Sequence, residues 1–306
     1  MKKVAVIGAG VMGTRICRHF LQAGYRVALV DRSGEALEKA RDFLDHEDSP
    51  VEFATRLEVL GDEWKDVEAV FEAVPEKLEL KHQVLRDLED FFASETIIAS
   101  NTSGLRTDDL TRGMTCPGRF LIAHFFNPAD LIPAVEVVPG AQTREDVTDR
   151  MVRILEASGK KVARLNTEVP GFIANRLQHA MLRECFHLIG SGVADAATID
   201  LVTRYSIGVR LALIGPMLQR DLNGLDTHLN IASYLYPELD ARQSPPESLF
   251  ARVEAGELGR KSGQGFYAWD ATLTQRMDEI ERLLPQVIRL AAAAGEPEED
   301  STCRNG

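Results

Sequence analysis

The stretch "KVAVIGAGVMGTRICRHF" constrains the fold more than any other part of the chain. An apolar, β-branched run leads into Gly8, Gly10 and Gly13, spaced G-x-G-x-x-G, and a helical pattern over about 12–23 follows at once. In that setting Gly8 permits a tight turn, Gly10 lets backbone approach a pyrophosphate, and Gly13 lets helix and strand pack closely. A second run, "RVALV" (26–30), leads into Asp31, 18 residues past Gly13. A carboxylate there accepts ribose hydroxyls and repels a 2′-phosphate, so NAD is favoured over NADP despite the adjacent Arg32. Val11 and Met12 open the helix and join the expected cofactor site, because a helix N-terminus turns unpaired N–H groups toward phosphate.

Further strand-like runs alternate with helical patterns: "EAVFEAV" (68–74), a charged helix over about 77–93, "TIIAS" (96–100), "RFLIAHF" (119–125), "AVEVV" (134–138), a helix over about 143–158, and "KKVARL" (160–165). Strands interleaved with crossover helices imply a Rossmann-type, doubly wound α/β sheet. From "VPGF" (169–172) helical periodicity takes over. Phe172, Ile173, Leu177, Ala180 and Met181 share one face of a helix that Gly190 and Gly192 would stop. We therefore expect an NAD-binding domain over 1–168 and an all-α domain over 169–306 for substrate binding and dimerisation. Within the second, "DARQSPPES" (240–248) reads as a loop, "GFYAW" (265–269) as a strand, and the acidic end "GEPEEDSTCRNG" as frayed.

A length of 306 residues suits two domains, and a net charge of −12 argues against a nucleic-acid partner. Four cysteines lie far apart with no C-x-x-C pair, which fits a reducing cytoplasm. No run approaches a membrane span, and glycines interrupt the apolar run near the N-terminus too early for a signal peptide. No membrane attachment and no metal site are expected.

The chemical question sits in "AHFFNPADLIPAVEV" (123–137). His124 is the lone polar group of one apolar strand, and Glu136 interrupts a run of valines. A buried carboxylate is costly unless paired, so the two residues should meet across neighbouring strands. Such a pair is what a general base needs: the glutamate orients the ring and stabilises the imidazolium. By spacing alone, a satisfied core histidine with Glu136 partnering an arginine is the stronger reading. Glu76, Lys81, Asn101 and Ser103 follow apolar strands on the side where open α/β sheets bind ligands, although each alone also reads as a helix cap or surface charge.

From "VAVIGAGVMG" through "HFFNP" and "VPGFIANRL" to "GRKSGQGFYAW", about nine tenths of the chain resembles the L-3-hydroxyacyl-CoA dehydrogenase family. The resemblance implies His124 as general base, Glu136 as its orienting partner, Ser103 as the oxygen-binding serine and Asn175 as the substrate-positioning asparagine. It also implies that Asn127, Glu76 and Lys81 line the nicotinamide side, and that a secondary alcohol β to a carbonyl is oxidised by NAD. A homodimer through the second domain is a further implication.

Two departures bear on substrate. Only 45 positions separate Asp31 from Glu76, fewer than in acyl-CoA members, which use that region for a helical hairpin that grips coenzyme A. The segment "SIGVRLALIGPM" (206–217) resembles members acting on free carboxylates: gulonate dehydrogenase and its lambda-crystallin relative, carnitine dehydrogenase, and a pyridine-carboxylate dehydrogenase of vitamin B6 breakdown. Arg210 in that segment is the expected carboxylate ligand, with a structural salt bridge as the alternative. The competing functions are a short-chain 3-hydroxybutyryl-CoA dehydrogenase of fatty acid metabolism and a catalytically idle, crystallin-like NAD-binding protein. A lysine-dependent hydroxyacid dehydrogenase is disfavoured, because no lysine occurs between Lys161 and Lys261.

Overall fold

The computed structural model describes residues 2–45 and 51–295. The chain divides into two compact units that meet at 176/177, later than the expected 168/169. The intervening residues pack with the first unit: Phe172 is buried in its core, and the N–H groups of Ile173 and Ala174 bond to Glu136.

The first unit opens with β1 (Lys3–Ile7), α1 (Val11–Gln22), β2 (Arg26–Val30), α2 (Gly34–Leu44) and β3 (Val51–Ala54). It continues through β4 (Ala69–Glu72), α3 (Leu78–Phe91), β5 (Ile97–Ser100), the single turn α4 (Thr107–Leu110), β6 (Phe120–Phe125), β7 (Ala134–Pro139), α5 (Glu145–Ala157) and β8 (Lys161–Arg164). The strands form one sheet in the order β3-β2-β1-β4-β5-β6-β7-β8. All pairs are parallel except β6–β7. Apolar clusters cover both faces, so the central strands are buried throughout. The strand order reverses beside β1 and β4, and the turns after these strands form a crevice of the kind in which open α/β sheets bind ligands.

Several expectations need correction here. The short β3 was not legible: "VEFA" is four residues long and half-exposed, with no sustained alternation to mark it. The run 68–74 forms a strand only at Ala69–Glu72, because Val74 N turns back to the Glu72 carboxylate ahead of Pro75. Between Asp31 and Glu76 the described residues hold one α-helix, the two strands β3 and β4, and two single 3₁₀ turns, with no helical hairpin among them.

The second unit is helical. The helix α6 runs Ala174–Gly190, so Phe172 and Ile173 precede it instead of lying on its apolar face. Phe172 adopts φ 53°, a left-handed conformation costing about 1 kcal/mol or more, which ends any helical path through it. There follow α7 (Ala196–Val202), a π-helical segment (Thr203–Gly208), α8 (Val209–Leu211), α9 (Pro216–Asn223), α10 (Leu225–Leu235), α11 (Glu247–Glu254) and α12 (Ala271–Ala293). The 240–246 stretch is irregular as expected, α11 starting at Glu247. "GFYAW" forms no strand; Gln264 bridges singly to Gly259 and Ala268 while the chain reverses at Gly263 (φ 81°). Apart from Gly295, the acidic end lies outside the described residues. No single described helix is long and apolar enough to cross a membrane; α7 through α9 together reach that length but bend by 87° between Leu211 and Pro216.

Candidate active site

The glycine turn is built by exclusion. A Cβ on Gly13 would lie 1.8 Å from the Gly8 carbonyl oxygen, and one on Gly8 would lie 2.7 Å from that of Ala73. Gly10, by contrast, has no atom within 4 Å of a would-be Cβ, and no side chain caps the N–H groups that α1 presents there. Gly8 and Gly13 are thus required by packing, while Gly10 and Val11 border open space at a positive helix end. Asp31 accepts from Ala9 N at 2.7 Å and from Ser33 N at 2.8 Å, one bond per oxygen, leaving a lone pair on each. With Gly8 and Arg32 it borders a cavity of about 400 Å³. The exposed Arg32 lies 3.8 Å from Asp87. These groups fit a dinucleotide with free ribose hydroxyls.

His124 and Glu136 occupy directly opposed positions of the antiparallel β6–β7 pair. His124 Nδ1 lies 2.8 Å from Glu136 Oε2, and the residues are only 6% and 3% exposed. The other carboxylate oxygen accepts from Ile173 N and Ala174 N, both at 2.9 Å. Burial alone would raise the Glu136 carboxyl, but bonds from His124 and from these two N–H groups outweigh it and hold it below the ordinary carboxylate range. An ionised Glu136 requires Nδ1 to carry a proton, which leaves Nε2 as the ring's acceptor. Phe126 and Phe172 flank the ring at centroid separations of 4.7 and 5.5 Å.

A cavity of about 350 Å³ beside the ring collects most of the expected residues: Met12, Glu76, Asn101, Ser103, Asn127 and Asn175. Three of them also brace the site. Asn101 Oδ1 accepts from Phe125 N at 2.9 Å, fixing the end of β6 next to His124. Glu76 accepts from Thr102 Oγ1 and, at 3.2 Å, from Ser103 N. Asn175 Nδ2 donates to Ser103 O at 2.9 Å. Ser103 is therefore held through its backbone on both sides, and its hydroxyl has no partner among the described residues.

Lys81 departs from expectation. It is 1% exposed and borders no cofactor cavity; its Nζ donates to both oxygens of the fully buried Glu72, at 2.7 and 2.9 Å. Ser100 Oγ and Val74 N complete the shell of Glu72, and Lys81 Nζ also lies 3.3 Å from Glu76 Oε2. Lys81 thus holds the turn that carries Glu76 and is too enclosed to touch a ligand itself. Behind the site, the turn after β6 contains the cis Asn127–Pro128 bond and is gripped by buried Lys160, which donates to Ala129 O and Ile132 O at 2.6 and 2.7 Å. Burial pulls the Lys160 ammonium down to about 8. Asp130 of the same turn pairs with Arg15 of α1 at 2.8 Å. Arg210 belongs to the second unit, where it borders a separate cavity of about 590 Å³.

Two family models cover most of the chain: the NAD binding domain of 3-hydroxyacyl-CoA dehydrogenase matches residues 3–168, and that enzyme's C-terminal domain matches 171–269. The chain belongs to the 3-hydroxyacyl-CoA dehydrogenase family. As a member it is an NAD-dependent oxidoreductase acting on a hydroxyl group. An L-carnitine dehydrogenase of Streptomyces coelicolor is 34% identical, covering 98% of either chain. The solved structure of 5-formyl-3-hydroxy-2-methylpyridine 4-carboxylic acid 5-dehydrogenase, an NAD⁺-dependent dismutase, superposes with a TM-score of 0.88 at 27% identity, covering 97% of this chain and all of that one. The (S)-3-hydroxybutyryl-CoA dehydrogenase of Ralstonia eutropha superposes with a TM-score of 0.70 at 29% identity, over 88% and 99% of the two chains.

Within this family member, sequence reasoning overlooked Glu72, Thr102, Phe172 and Lys160. The signal for Glu72 was present: an acid closing an apolar strand, nine residues before a lysine, poses the same burial problem as Glu136. Nothing comparable marks Phe172, whose role depends on its backbone angle.

Proposed function

We propose that the chain is an NAD-dependent dehydrogenase of a small free 3-hydroxycarboxylic acid. The reading is carried by the buried His124–Glu136 pair, which borders one cavity with Ser103 and Asn175. His124 Nε2 takes the proton of the substrate hydroxyl, and Glu136 stabilises the imidazolium that forms. NAD supplies the acceptor for the hydride that leaves the carbinol carbon, giving a 3-keto acid, NADH and one proton. The Ser103 hydroxyl donates to the substrate oxygen, and Asn175 holds both Ser103 and the bound acid. Gly8, Gly10, Val11, Met12, Gly13, Asp31, Arg32, Glu76, Asn101 and Asn127 form the cofactor side, with Lys81 acting through Glu72 and Glu76.

Support for a free acid comes from the absence of a helical hairpin among the described residues between Asp31 and Glu76, and from Arg210. Its guanidinium has no carboxylate partner among the described residues, which favours a ligand over the structural salt bridge. The likeness to the Ralstonia enzyme supports the second reading, a 3-hydroxybutyryl-CoA dehydrogenase. The deciding experiment compares kcat/KM, read as NADH formation, for 3-hydroxybutyrate, carnitine, gulonate and 3-hydroxybutyryl-CoA. Free acids should be preferred, and His124→Gln should lower kcat/KM by roughly 10²–10⁴. A dominant preference for the thioester overturns the free-acid reading; NAD binding without turnover of any of them supports the idle one.

The second unit exposes many large apolar residues, including Leu201, Met217, Leu229 and Tyr236. This pattern supports a homodimer formed through that unit. A sedimentation-equilibrium mass of one chain would exclude it. Net charge and the wide spacing of the four cysteines along the sequence support a cytoplasmic setting without nucleic-acid partners.

A further inference from the structure

The turn between β6 and β7 (126–133) places Asn127 at the edge of the His124 cavity. Pro128 O accepts from Leu131 N and Ile132 N at 3.0 and 2.9 Å, so the turn closes partly on itself. The carbonyl oxygens of Ala129 and Ile132 receive no backbone N–H among the described residues. Lys160, 4% exposed, donates to both, at 2.6 and 2.7 Å, with its Nζ 5.6 Å from the centre of the Phe125 ring. A neutral amide would also satisfy two carbonyls, and an ammonium is costly to bury. What the charge adds is strength, because charge-assisted hydrogen bonds are roughly twice as strong as neutral ones.

The surroundings answer that charge only in part. Asp130 of the same turn favours the charged form of Lys160, but it is itself engaged by Arg15 at 2.8 Å and by Arg18 at 3.6 Å, both from α1. His19, also of α1, is pulled down to about 3 by burial and by the nearby Lys160, and its Nε2 lies 2.9 Å from Ser158 Oγ, just past α5. His19 is therefore neutral at and above neutral pH. Burial outweighs Asp130 and brings Lys160 from 10.5 to about 8. Above that pH the amine keeps two N–H groups but loses the charge that strengthened their bonds.

We propose that Lys160 is a positioning residue for hydride transfer: its ammonium holds the β6–β7 turn so that Asn127 meets the nicotinamide, and the hold weakens when the ammonium loses its proton. The proposal rests on the reading of Asn127 as a cofactor residue and deepens it. Lys160 borders none of the cavities of the first unit and acts through the carbonyls of Ala129 and Ile132. Global stability moves the opposite way. The folded state gives up this proton near 8 and the unfolded chain near 10.5, so the stability that Lys160 contributes rises with pH across that window. Weaker nicotinamide binding at high pH is then not the mark of a loosened protein.

The test uses the full chain and two ligands that differ at the nicotinamide, NADH and ADP-ribose, titrated calorimetrically from about pH 7 to about pH 9.5. In unsubstituted protein NADH should bind at least about threefold more weakly above about pH 8, while ADP-ribose keeps its affinity. Lys160→Met should weaken NADH about tenfold at about pH 7, abolish the pH step and leave ADP-ribose unchanged. Lys160→Arg, which keeps the charge and does not titrate in this range, should recover part of the affinity without restoring the step. A role confined to stability would move both ligands together, and that result overturns the proposal. So does an NADH affinity that is flat with pH in unsubstituted protein, a comparison that stands even if Lys160→Met does not fold. Asn127→Ala tests the reading beneath: unchanged NADH binding overturns that reading, whereas weakened binding there with none in Lys160→Met overturns the positioning role alone.

Discussion

The two units distribute apolar surface in opposite ways. In the first, the apolar side chains of both sheet faces are withdrawn from solvent, and Phe172 is the last large hydrophobic residue that is buried among those described. Beyond 176 no described large hydrophobic residue is fully buried, and Leu229, Tyr236 and Met217 are 68%, 70% and 74% exposed. The first unit therefore has a core sufficient to hold buried charges such as Glu72, Lys81 and Glu136, whereas the second has extensive exposed apolar surface. Chemistry that needs low solvent access belongs in the former. Large apolar side chains left open to solvent mark the latter.

This contrast breaks most directly at Lys81. Lys81→Met should leave Glu72 charged and unpaired in the sheet interior, costing about 3–5 kcal/mol in urea unfolding. Converting Glu72 as well, in a Glu72→Gln/Lys81→Met double variant, should restore part of the loss. A single-variant cost below 1 kcal/mol would mean that the first unit is less enclosed than its burial pattern states.

The next largest effect is a pH dependence confined to the first unit. Burial, with Lys160 nearby, lowers the pKa of His19 from 6.5 to about 3. The unfolded chain binds that proton below about 6.5 and the folded chain only near 3, so stability is lost as pH falls across that window. The loss attributable to His19 is roughly 3 kcal/mol by about pH 4 and roughly 5 kcal/mol once the whole window is crossed, and His19→Gln should flatten the corresponding stretch of the stability curve. An unchanged slope would remove His19 from the account.

The smallest effect sharpens the other side of the comparison. Leu229→Ser in the second unit should change the stability of dilute, monomeric protein by less than about 0.5 kcal/mol, as expected of an exposed site. At higher concentration the same substitution should weaken self-association about tenfold in sedimentation equilibrium. A large stability loss in the monomer would show that Leu229 belongs to a core within one chain.

The sheet was legible because its signals are local: the glycine turn, apolar runs, and a carboxylate closing β2. The His124–Glu136 register followed from one energetic requirement, since neither group tolerates burial alone. The same requirement applied at Glu72 and was not used, so Lys81 was assigned to the ligand side. Phe172 and Ile173 were misread because a helical periodicity of side chains carries no record of φ, and a left-handed residue after Pro170-Gly171 breaks the helix without altering the pattern. In the second unit, helices were recognisable by period. What covers their apolar faces was not, because periodicity marks a face and not its partner.

The division of Glu136 between two tasks has a consequence for biosynthesis. One oxygen holds the catalytic imidazole and the other binds the N–H groups of residues 173 and 174. Strands β6 and β7 are complete well before those residues leave the ribosome. A chain ending at residue 170 would lack the two donors that satisfy this second oxygen. The acid–base geometry is finished only when the polypeptide has grown past the sheet and turned into α6.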